Sequence, residues 1–539
     1  MAKYIAPRMI SSLGDWSQMR ADFRWQVPAY FNIASACCDV WAAADPARTA
    51  LQHVGEDGRG ESWSFAALKI ASDRLATSFA ARGISPGDRV AVLLGQGPEV
   101  LITHFAAQKL GAIVLPLFTL FGPDALAYRL ADSGARLLVT DTDNLEKIQE
   151  IRADLRHLSE VYVVGGAPDP LRDFHAEIQA SRPLDRPVKT RADDPALMVY
   201  TSGTTGAPKG VLHAHRVLLG HLPAIELHHE GFPRQGDKGW TPADWAWVGG
   251  LLDLALPCLF YGVPLVSHRM RKFDPEAAFA LIGRHEIRNL FMPPTALKLM
   301  QGTRVPEMVN LRSIGSGGES LGADLLDWGR TALNVPINEL YGQTECNLVL
   351  TSAAGFMEVR PGSMGLAVPG HDVAIIDAQG RVLPAGEIGE IAVRRPDPVM
   401  FLHYWNQPEK TAAKFSGDWL KTGDLGVQDQ DGYFTFVARD DDVITSSGYR
   451  IGPSEIEHCI ASHPDVVMVA VVGVPDPVRT EAVKAVVVAR AGADLSGLSQ
   501  TLKERVRARI SPHVAPRIVE FAESLPMTAT GKIKRRDLR

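Results

Sequence analysis

The segment "ALMVYTSGTTGAPKGVLHAH" (Ala196–His215) joins an apolar run to a dense cluster of glycine and hydroxyl-bearing residues. Its first five residues, Ala196–Tyr200, predict a buried strand, so the glycine-rich part begins at a strand end, where α/β sheets place ligands. It is not a Walker A motif, because Lys209 is followed by Gly210 and not by serine or threonine. Two interpretations stay open at this point: a flexible surface turn, or a loop whose backbone N–H groups and hydroxyls bind phosphate.

Apolar runs alternate with helix-length segments on both sides of this loop. Helical spacing over Phe65–Gly83 ends on a glycine, and short apolar runs between such segments predict strands. This alternation predicts parallel sheets covered by helices, that is, an α/β fold. The predicted strands near the N-terminus are Arg89–Leu94, Gly111–Leu117, Ala135–Thr140 and Val161–Gly166.

The pattern changes scale near residue 440. Two strands, Asp465–Val474 and Glu481–Arg490, and an amphipathic helix over Leu495–Ile510 predict a small α/β domain of about one hundred residues, a common domain size. We therefore expect a large N-terminal domain of layered sheets and helices over residues 1–439 and a small α/β domain over residues 440–539. The acidic stretch Arg439–Asp442 is the candidate hinge between them.

Composition argues against several classes of protein. The 539 residues are 46% hydrophobic and 22% charged, which is typical of a globular protein with a large core. A formal net charge of −6 argues against a general nucleic-acid binder, whose surface is usually basic. The five cysteines form no CxxC pair and no His/Cys group at zinc spacing, so a reduced, cytoplasmic setting is expected. The first residues lack the apolar stretch of a signal peptide.

The most apolar run of the chain is Gly249–Val266, and it is interrupted by Asp253, Pro257 and Pro264. It predicts a buried helix and a strand rather than a membrane span. No membrane-spanning segment is therefore expected.

Several motifs occur in an order that resembles one superfamily. The order TSGTTGxPKG (Thr201–Gly210) resembles the phosphate loop of the adenylate-forming superfamily of acyl-CoA synthetases, carrier-protein adenylation domains and luciferases. The start Val27–Asn32 and the segment Val474–Val488 also resemble medium-chain acyl-CoA synthetases, so the likeness covers nearly the whole chain. The other motifs are GSGGESL (Gly315–Leu321), NELYGQTE (Asn338–Glu345), DWLKTGDLG (Asp418–Gly426), ARDDDVITSSGYRIGPSEIE (Ala438–Glu457) and LPMTATGKIKRR (Leu525–Arg536).

The resemblance implies that ATP activates a carboxylic acid as an acyl-adenylate, with loss of pyrophosphate. Such a transfer depends on positioning and on neutralising phosphate charge. Thr344 is implied to contact the α-phosphate and Glu345 to help hold Mg²⁺, which favours one carboxylate together with phosphate oxygens. The implied residues around the β- and γ-phosphates, which supply hydroxyls, close backbone approach and positive charge, are Thr201, Ser202, Gly203, Thr204, Thr205, Gly206 and Lys209.

The nucleoside half of the implied site follows the same logic. Tyr341 offers a flat face for adenine, and Asp424 can accept hydrogen bonds from both ribose hydroxyls. Arg439 is implied to contact the ribose and Arg450 to reach the phosphates. The implied ATP- and AMP-binding residues beyond the glycine-rich loop are Gly318, Glu319, Ser320, Glu339, Tyr341, Gln343, Thr344, Asp424, Arg439, Arg450 and Lys532.

Lys532 is the implied catalytic lysine, acting with Thr344 and Glu345. In the superfamily the matching lysine enters the active site only in the adenylating arrangement, where it bridges the carboxylate and the α-phosphate. The spacing in Pro526–Lys532 also resembles the substrate motif of bacterial protein acetyltransferases, so an acetyltransferase and a deacetylase acting on Lys532 are possible partners. Its neighbours Lys534, Arg535 and Arg536 are expected to be solvated, as charge runs usually are.

The predicted acyl pocket contains Gly317, Gly342 and Trp247. Acetate-specific members carry larger side chains at the two glycine positions, so we expect a neutral acid larger than acetate: medium-chain, branched or aromatic. An indole at Trp247 would shorten or flatten the pocket, or stack on an aromatic acid. A second interpretation stays open, in which Trp245 and Trp247 alternate on a buried strand and never contact substrate.

The acceptor of the acyl group is the last question. Asp441 matches the family hinge, and Gly448 matches the glycine that lets a thiol pass after the small domain rotates. The medium-chain likeness favours coenzyme A as the acceptor. Two alternatives are an adenylation protein that loads a separate carrier-protein phosphopantetheine, and a non-catalytic acyl- or nucleotide-binding relative, which would normally have lost Lys532, Glu345 or Asp424. A homo-oligomer is also compatible with the sequence.

Overall fold

The structure is a computed structural model that describes residues 5–201, 208–319, 321–439, 442, 444–446, 449–476, 480–509, 514–528 and 532–539. The α-helices are α1 (Trp16–Asp22), α2 (Val40–Ala44), α3 (Phe65–Ala81), α4 (Pro98–Lys109), α5 (Pro123–Ser133), α6 (Leu145–Ile151), α7 (Phe174–Ala180), α8 (Val217–His228), α9 (Val248–Gly250), α10 (Leu256–Phe260), α11 (Pro275–Arg284), α12 (Pro294–Gln301), α13 (Ala323–Ala332), α14 (Pro408–Ala413), α15 (Pro453–Ala461) and α16 (Leu495–Arg509).

The strands up to residue 351 are β1 (Thr49–Val54), β2 (Gly60–Ser64), β3 (Arg89–Leu93), β4 (Ile113–Pro116), β5 (Leu137–Asp141), β6 (Glu160–Val164), β7 (Arg172–Asp173), β8 (Pro195–Thr201), β9 (Lys209–Ala214), β10 (Gly239–Trp240), β11 (Leu265–Ser267), β12 (Asn289–Phe291), β13 (Ser313–Gly317), β14 (Ile337–Gln343) and β15 (Cys346–Thr351). The later strands are β16 (Leu366–Ala367), β17 (Val373–Ile376), β18 (Ile388–Arg394), β19 (His403–Tyr404), β20 (Phe415–Ser416), β21 (Trp419–Gln428), β22 (Phe434–Arg439), β23 (Ile444–Ser446), β24 (Tyr449–Ile451), β25 (Val466–Asp476), β26 (Thr480–Ala489) and β27 (Ile518–Phe521).

The described strands form four sheets. One runs in the order β19-β9-β8-β4-β3-β5-β6-β7, and a second in the order β16-β15-β14-β13-β12-β10-β11-β1-β2. The third has the order β17-β18-β21-β20 with β22 paired to β21, and the fourth the order β24-β23-β26-β25 with β27 paired to β26. The expected parallel pairing is present from β3 to β6 and from β10 to β14.

Local signals account for many of these elements. Helix α3 begins after Ser64, whose hydroxyl accepts a hydrogen bond from Ala67 N over 3.1 Å, and it is followed by Gly83 at φ 81°. The four strands predicted near the N-terminus appear as β3, β4, β5 and β6, with ends shifted by at most two residues. The α/β fold expected from the alternation is confirmed.

The largest core lies between the first two sheets. Val90 and Leu197 come from the eight-stranded sheet and Leu51 from the nine-stranded sheet, and all three are fully buried or nearly so. Apolar residues of α3, α4, α8 and α10 fill the space between them. The two sheets and their helices therefore form one layered unit, as expected for a large domain.

A short N-terminal segment is bound to this unit by Glu226, which is fully buried on α8. Its carboxylate accepts hydrogen bonds from the backbone N–H groups of Met9 at 2.6 Å and Ile10 at 3.0 Å, and from the hydroxyl of Tyr261 at 2.5 Å. Arg8 donates to the carbonyl oxygen of Gly231 at 3.0 Å. Burial raises the pKa of Glu226 to about 7.

The C-terminal part has a core of its own. Ile456 of α15, Val471 of β25 and Leu502 of α16 are buried together. The strands predicted over Asp465–Val474 and Glu481–Arg490 correspond to β25 and β26, and the predicted helix corresponds to α16. The expected small α/β unit is therefore present.

The apolar run Gly249–Val266 forms α9, a π-helix over Leu251–Ala255, α10 and β11, which confirms the predicted buried helix and strand. None of the helices within the described ranges is long and apolar enough to cross a bilayer. Trp245 and Trp247 follow β10 in a turn, so the interpretation that placed them on a buried strand is wrong.

Candidate active site

The glycine-rich loop connects the neighbouring antiparallel strands β8 and β9 of the eight-stranded sheet. Thr201 ends β8 and Lys209 begins β9, and the two residues are paired in register. The loop is therefore a hairpin connection rather than a strand-to-helix turn. The predicted residues Ser202, Gly203, Thr204, Thr205 and Gly206 lie outside the described residues.

Thr344 and Glu345 form the two-residue turn between β14 and β15, which the pair Gln343 and Cys346 closes. A tight hairpin fixes both backbones, so the implied catalytic pair sits on a rigid turn. Glu345 is buried, and its Oε1 accepts a short hydrogen bond from the hydroxyl of Tyr404. Burial, followed by the charge of Glu345, raises the pKa of Tyr404 well above its ordinary value.

Tyr404 also connects this turn to the glycine-rich hairpin. It lies on β19, which pairs antiparallel with β9, and the Nζ of Lys209 is 5.0 Å from the centroid of its ring. Lys209 and Glu345 therefore approach the same tyrosine from two sides. The sequence analysis missed Tyr404, because its role depends on a strand pairing that no local pattern indicates.

Asp424 lies on β21, where two side chains from the end of β14 reach it. The hydroxyl of Tyr341 donates to its Oδ2 at 2.8 Å, and Nε2 of Gln343 donates to the same oxygen at 2.6 Å. Burial, and then the charge of Asp424, raises the pKa of Tyr341 well above its ordinary value. Arg439 pairs with Asp424 through the backbone of β22. The structure thus brings Tyr341, Gln343 and Asp424 together.

The segment after β13 lies beside these residues. Gly318 has φ 99°, a conformation that favours glycine, and Glu319 follows it half-buried. Glu339 on β14 is buried, and its Oε2 accepts a hydrogen bond from Leu321 N at 3.4 Å. This hydrogen bond holds the end of the segment against β14. Burial raises the pKa of Glu339 to about 8. The predicted residue Ser320 lies outside the described residues.

Lys532 reaches the same place from the small domain. Its backbone N–H donates to Oγ1 of Thr528 at 3.0 Å, and its carbonyl oxygen accepts from Thr528 N at 2.7 Å. A Cβ added to Gly318 would lie 3.8 Å from Cε of Lys532. The aliphatic part of the lysine therefore lies over the Gly318 segment, although 214 positions separate the two residues.

Trp247 forms a wall next to this segment. The same added Cβ on Gly318 would lie 3.4 Å from Cζ2 of the indole, and the ring centroids of Trp247 and Phe291 are 5.5 Å apart. The indole also lines a cavity of 430 Å³, together with Lys147 and Arg269. Trp247 thus lies between the Lys532 site and a second opening, and its contact with substrate stays a prediction.

Gly317 and Gly342 must be glycine for a different physical reason from the one we expected. A Cβ on Gly342 would overlap Leu348 N, and a Cβ on Gly317 would lie 2.7 Å from the carbonyl oxygen of Leu340. Close backbone approach therefore requires both glycines, and their missing side chains leave no free volume here. Leu348 has φ 56°, which is a strained conformation for leucine, and it is buried in the apolar cluster that contains Trp247.

Four further predictions concern the chain after residue 439: Asp441, Gly448 and Arg450 near the domain boundary, and Arg535 near the C-terminus. Asp441 and Gly448 lie outside the described residues. The backbone of Arg450 lies on β24 and pairs with Thr445. The expectation that Arg535 is solvated is wrong, because its guanidinium is bound to Glu457 at 2.8 Å.

Comparison with known proteins identifies the family. Residues 38–405 match the AMP-binding enzyme family, and residues 455–532 match the AMP-binding enzyme C-terminal domain. The chain is 35% identical over 529 residues to acyl-coenzyme A synthetase ACSM2, mitochondrial, of Rattus norvegicus, covering 95% of this chain and 92% of that protein. It is 33% identical over 542 residues to acetyl-coenzyme A synthetase of Bacillus subtilis (strain 168), covering 97% and 93%.

Solved structures agree with this assignment. The crystal structure of the anthranilate CoA ligase AuaEII in complex with anthranoyl-AMP has a TM-score of 0.87 and 27% identity, covering 95% of this chain and 97% of that one. The resemblance recognised from the motifs is thus confirmed over nearly the whole length. The chain belongs to the AMP-binding enzymes and, within them, to the acyl-CoA synthetases.

Proposed function

We propose that this chain joins a carboxylic acid larger than acetate to coenzyme A in two steps. In the first step a carboxylate oxygen bonds to the α-phosphorus of ATP, and the bond to pyrophosphate breaks. In the second step the thiol sulfur bonds to the acyl carbon, the thiol proton leaves, and AMP departs with the electrons of the broken C–O bond. The observation that carries the proposal is the position of Lys532 over Gly318, in the site that Asp424 and Glu345 share.

We assign phosphate binding to Lys209 and to the turn Thr344–Glu345. The described residues contain no group of three His, Cys, Asp or Glu side chains that could hold a metal ion. Mg²⁺ bound mainly to phosphate oxygens needs only one or two carboxylates, so Glu345 fits such an ion. When bound, Mg²⁺ would neutralise phosphate charge, and the hydroxyl of Tyr404 holds the carboxylate of Glu345 in place.

Asp424 binds the nucleoside by accepting hydrogen bonds from the ribose hydroxyls. Tyr341 and Gln343 hold its carboxylate in place. The backbone of Gly318 and Glu319 forms the edge beside the adenine. Glu339 acts indirectly, by bracing this edge through Leu321 N.

Lys532 supplies the cation that balances the attacking carboxylate and the α-phosphate. Charge stabilisation of this kind typically contributes two or three orders of magnitude in rate. A charge carried by the small domain can also be withdrawn after adenylation. We therefore propose that rotation near Asp441 removes Lys532 and lets the thiol pass Gly448.

The acid is proposed to be medium-chain, branched or aromatic. Trp247 lies beside Lys532 at Gly318 and packs against Phe291, and such an apolar wall suits an uncharged acyl group. The anthranilate CoA ligase acts on an acid larger than acetate according to its name, whereas the Bacillus relative is named an acetyl-coenzyme A synthetase. These relatives also carry coenzyme A in their names, which favours it over a carrier protein.

A panel of acids tests the function. Pyrophosphate release is measured with acetate, straight acids up to ten carbons, branched acids and aromatic acids, with and without coenzyme A. We expect the highest kcat/KM with a larger acid and acyl-CoA only when coenzyme A is present. Highest efficiency with acetate would refute the substrate class, and adenylate that never reaches free coenzyme A would refute the acceptor.

Lys532→Ala tests the site in the same assay. The variant should lose adenylation by about two to three orders of magnitude and retain thioester formation from a supplied acyl-adenylate. Lys534→Ala is the matched control, since Lys534 is an exposed lysine two positions away. Equal loss of both half-reactions in Lys532→Ala would refute its assigned role.

Regulation and location are proposed on separate grounds. Lys532 is exposed, and an acetyl group on it would remove the charge that adenylation needs, so an acetyltransferase and a deacetylase acting there would switch the first step. Mass spectrometry after incubation with an acetyltransferase and acetyl-CoA should find acetyl-Lys532 together with lost adenylation; acetylation elsewhere with full activity would refute this. All five cysteines are free thiols, which supports a cytoplasmic location.

The domain boundary is proposed at residues 439 and 440. Strand β22 ends at Arg439 and pairs with β21 of the large domain, whereas β23 begins the sheet of the small domain. A chain ending at residue 439 should fold and bind AMP without activating an acid. Failure of that chain to fold, while the full chain folds, would place the boundary elsewhere.

A further inference from the structure

Arg535 makes three hydrogen bonds to one carboxylate, that of Glu457, although it lies in a basic run. Its Nη2 donates to Oε1 and Oε2 of Glu457 at 2.9 and 2.8 Å, and its Nε donates to Oε1 at 3.3 Å. The side chain is 24% exposed, whereas the adjacent Lys534 and Arg536 are exposed residues. A planar guanidinium paired in this way has a fixed direction, unlike a solvated lysine.

Glu457 is itself held firmly. It lies on α15, and its Oε1 also accepts a hydrogen bond from Val471 N of β25 at 2.7 Å. A helix and the edge strand β25 of the small domain therefore fix the carboxylate that binds Arg535. Arg535 is three residues after Lys532 in the chain. The contact between Arg535 and Glu457 therefore limits where Lys532 can lie relative to the small domain.

The guanidinium also reaches the segment between the domains. Oδ2 of Asp442 is 3.7 Å from Nη1 of Arg535, and Oδ1 of Asp442 accepts from Arg539 at 3.1 Å. Asp442 is three residues after Arg439, which ends the last strand of the large domain. Arg535 thus connects the segment that carries Lys532 to the chain where the small domain begins.

Glu319 is the large-domain charge that faces this group. It lies directly after Gly318, where burial raises its pKa. The positive charges of Lys298, Lys532 and Arg535 lower this pKa, and the negative charge of Glu457 raises it by a smaller amount. Two of these three cations belong to the small domain. Opposite charges therefore face each other across the contact that places Lys532 in the site, where partial burial strengthens their attraction.

We propose that Arg535 is a positioning residue for adenylation: anchored on Glu457, it fixes Lys532 over Gly318 and, with Glu319, holds the small domain in the adenylating arrangement. The inference rests on the role proposed for Lys532. Thioester formation does not need Lys532 in the site, so it should not depend on Arg535. The two half-reactions thereby separate a positioning role from a purely structural one.

The first experiment compares Arg535→Gln with Arg536→Gln, the same change at the exposed neighbour. ATP–pyrophosphate exchange reports adenylation, and acyl-CoA formed from supplied acyl-adenylate reports the second step. Arg535→Gln should lower the adenylation rate by about 10–100-fold and leave the second step within about twofold, in line with the effect of losing one charge-assisted contact. Arg535→Lys should recover part of the loss, because it keeps the charge but not the paired geometry. Arg536→Gln should change neither step.

A second experiment keeps the proposal testable if Arg535→Gln folds poorly. Glu457→Gln removes the anchor, and Glu319→Gln removes the partner in the large domain. Glu457→Gln should impair adenylation alone. Glu319→Gln and Arg535→Gln should be coupled, so that the double variant loses less than the product of the single losses.

Three results would overturn the proposal: unchanged adenylation in Arg535→Gln, parallel loss of both half-reactions in Arg535→Gln and Glu457→Gln, or independent multiplicative losses in the double variant. Lys532→Ala separates this inference from the function on which it rests. If Lys532→Ala retains adenylation, the assigned role of Lys532 fails. If Lys532→Ala loses adenylation and Arg535→Gln does not, only the positioning role fails.

Discussion

The hydroxyl of Tyr341 donates to the carboxylate of Asp424 at 2.8 Å, and the bond joins the nine-stranded sheet to the sheet that contains β21. Gln343 donates to the same oxygen, so both donors come from the end of β14. The carboxylate of Asp424, which is proposed to bind the ribose, is therefore oriented by two residues of a different sheet. A displacement between these two sheets would change nucleotide binding before it changed the phosphate site.

Tyr341→Phe tests this relationship. The ring remains and one hydrogen bond to a charged group is lost, so KM for ATP should rise about 10-fold while kcat changes less. Steady-state pyrophosphate release over a range of ATP concentrations measures both constants. Tyr433→Phe is the control, since that hydroxyl donates to the carbonyl oxygen of Glu358 instead. An unchanged KM in Tyr341→Phe would show that Asp424 is oriented without it.

Tyr404→Phe tests the support of Glu345. Without the hydroxyl, the carboxylate loses its donor and becomes less well oriented toward Mg²⁺, so the Mg²⁺ concentration for half-maximal pyrophosphate release should rise about 10-fold. A Mg²⁺ titration at constant ATP measures this. Tyr162→Phe, which removes a buried hydroxyl bonded to Ser78, should leave the titration unchanged. Identical curves for wild type and Tyr404→Phe would contradict the proposed support.

Trp247→Ala tests the wall beside Lys532. Removing the indole should enlarge the acyl site and raise kcat/KM for bulky or branched acids relative to short ones by about 10-fold. The acid panel measures the shift, with Trp63→Ala as a half-buried tryptophan on β2 that should not alter the profile. The same ranking of acids in wild type and Trp247→Ala would place the acyl site elsewhere.

Gly342→Ala tests why that position is glycine. Its added Cβ would overlap the backbone of Leu348, so the change should cost about 1–3 kcal/mol of stability and reduce activity with every acid to a similar extent. Denaturant unfolding and the acid panel measure the two effects. Gly497→Ala, where a Cβ meets nothing within 4 Å, is the control. A selective gain with short acids would instead support the narrowed pocket that the glycine first suggested.

Glu339→Gln tests the buried carboxyl on β14. Its folded pKa of about 8 lies above the ordinary 4.5, so between these values the folded protein keeps a proton that the unfolded chain releases. The free energy of unfolding should therefore fall as pH rises from about 5 to 8, and this contribution should be absent in Glu339→Gln. Denaturant unfolding at several pH values measures the slopes, with Glu307→Gln at an exposed site following wild type. Parallel slopes for Glu339→Gln and wild type would contradict the shifted pKa.

Local sequence patterns predicted the well-buried elements: helical spacing predicted α3, and continuous apolar runs predicted β3 and β5, because burial selects apolar residues at those positions. They did not predict the pairing of β9 with β19, since the partner strand is only two residues long and far away in the chain. The contact of Tyr404 with Glu345 was not predicted for that reason. Arg535 was misjudged because a run of basic residues has no period that distinguishes the bound member from its solvated neighbours.

The hydrogen bonds from Met9 and Ile10 to Glu226 have a consequence for synthesis on the ribosome. Residue 9 is made 217 positions before its acceptor, which at about 5–20 residues per second is roughly 10–40 s earlier. During that interval the backbone N–H groups of Met9 and Ile10 cannot form their native hydrogen bonds, because Glu226 has not yet been synthesised. Nascent chains stalled before and after residue 226 should therefore differ in protease cleavage near residue 10, with protection appearing only after α8 has emerged.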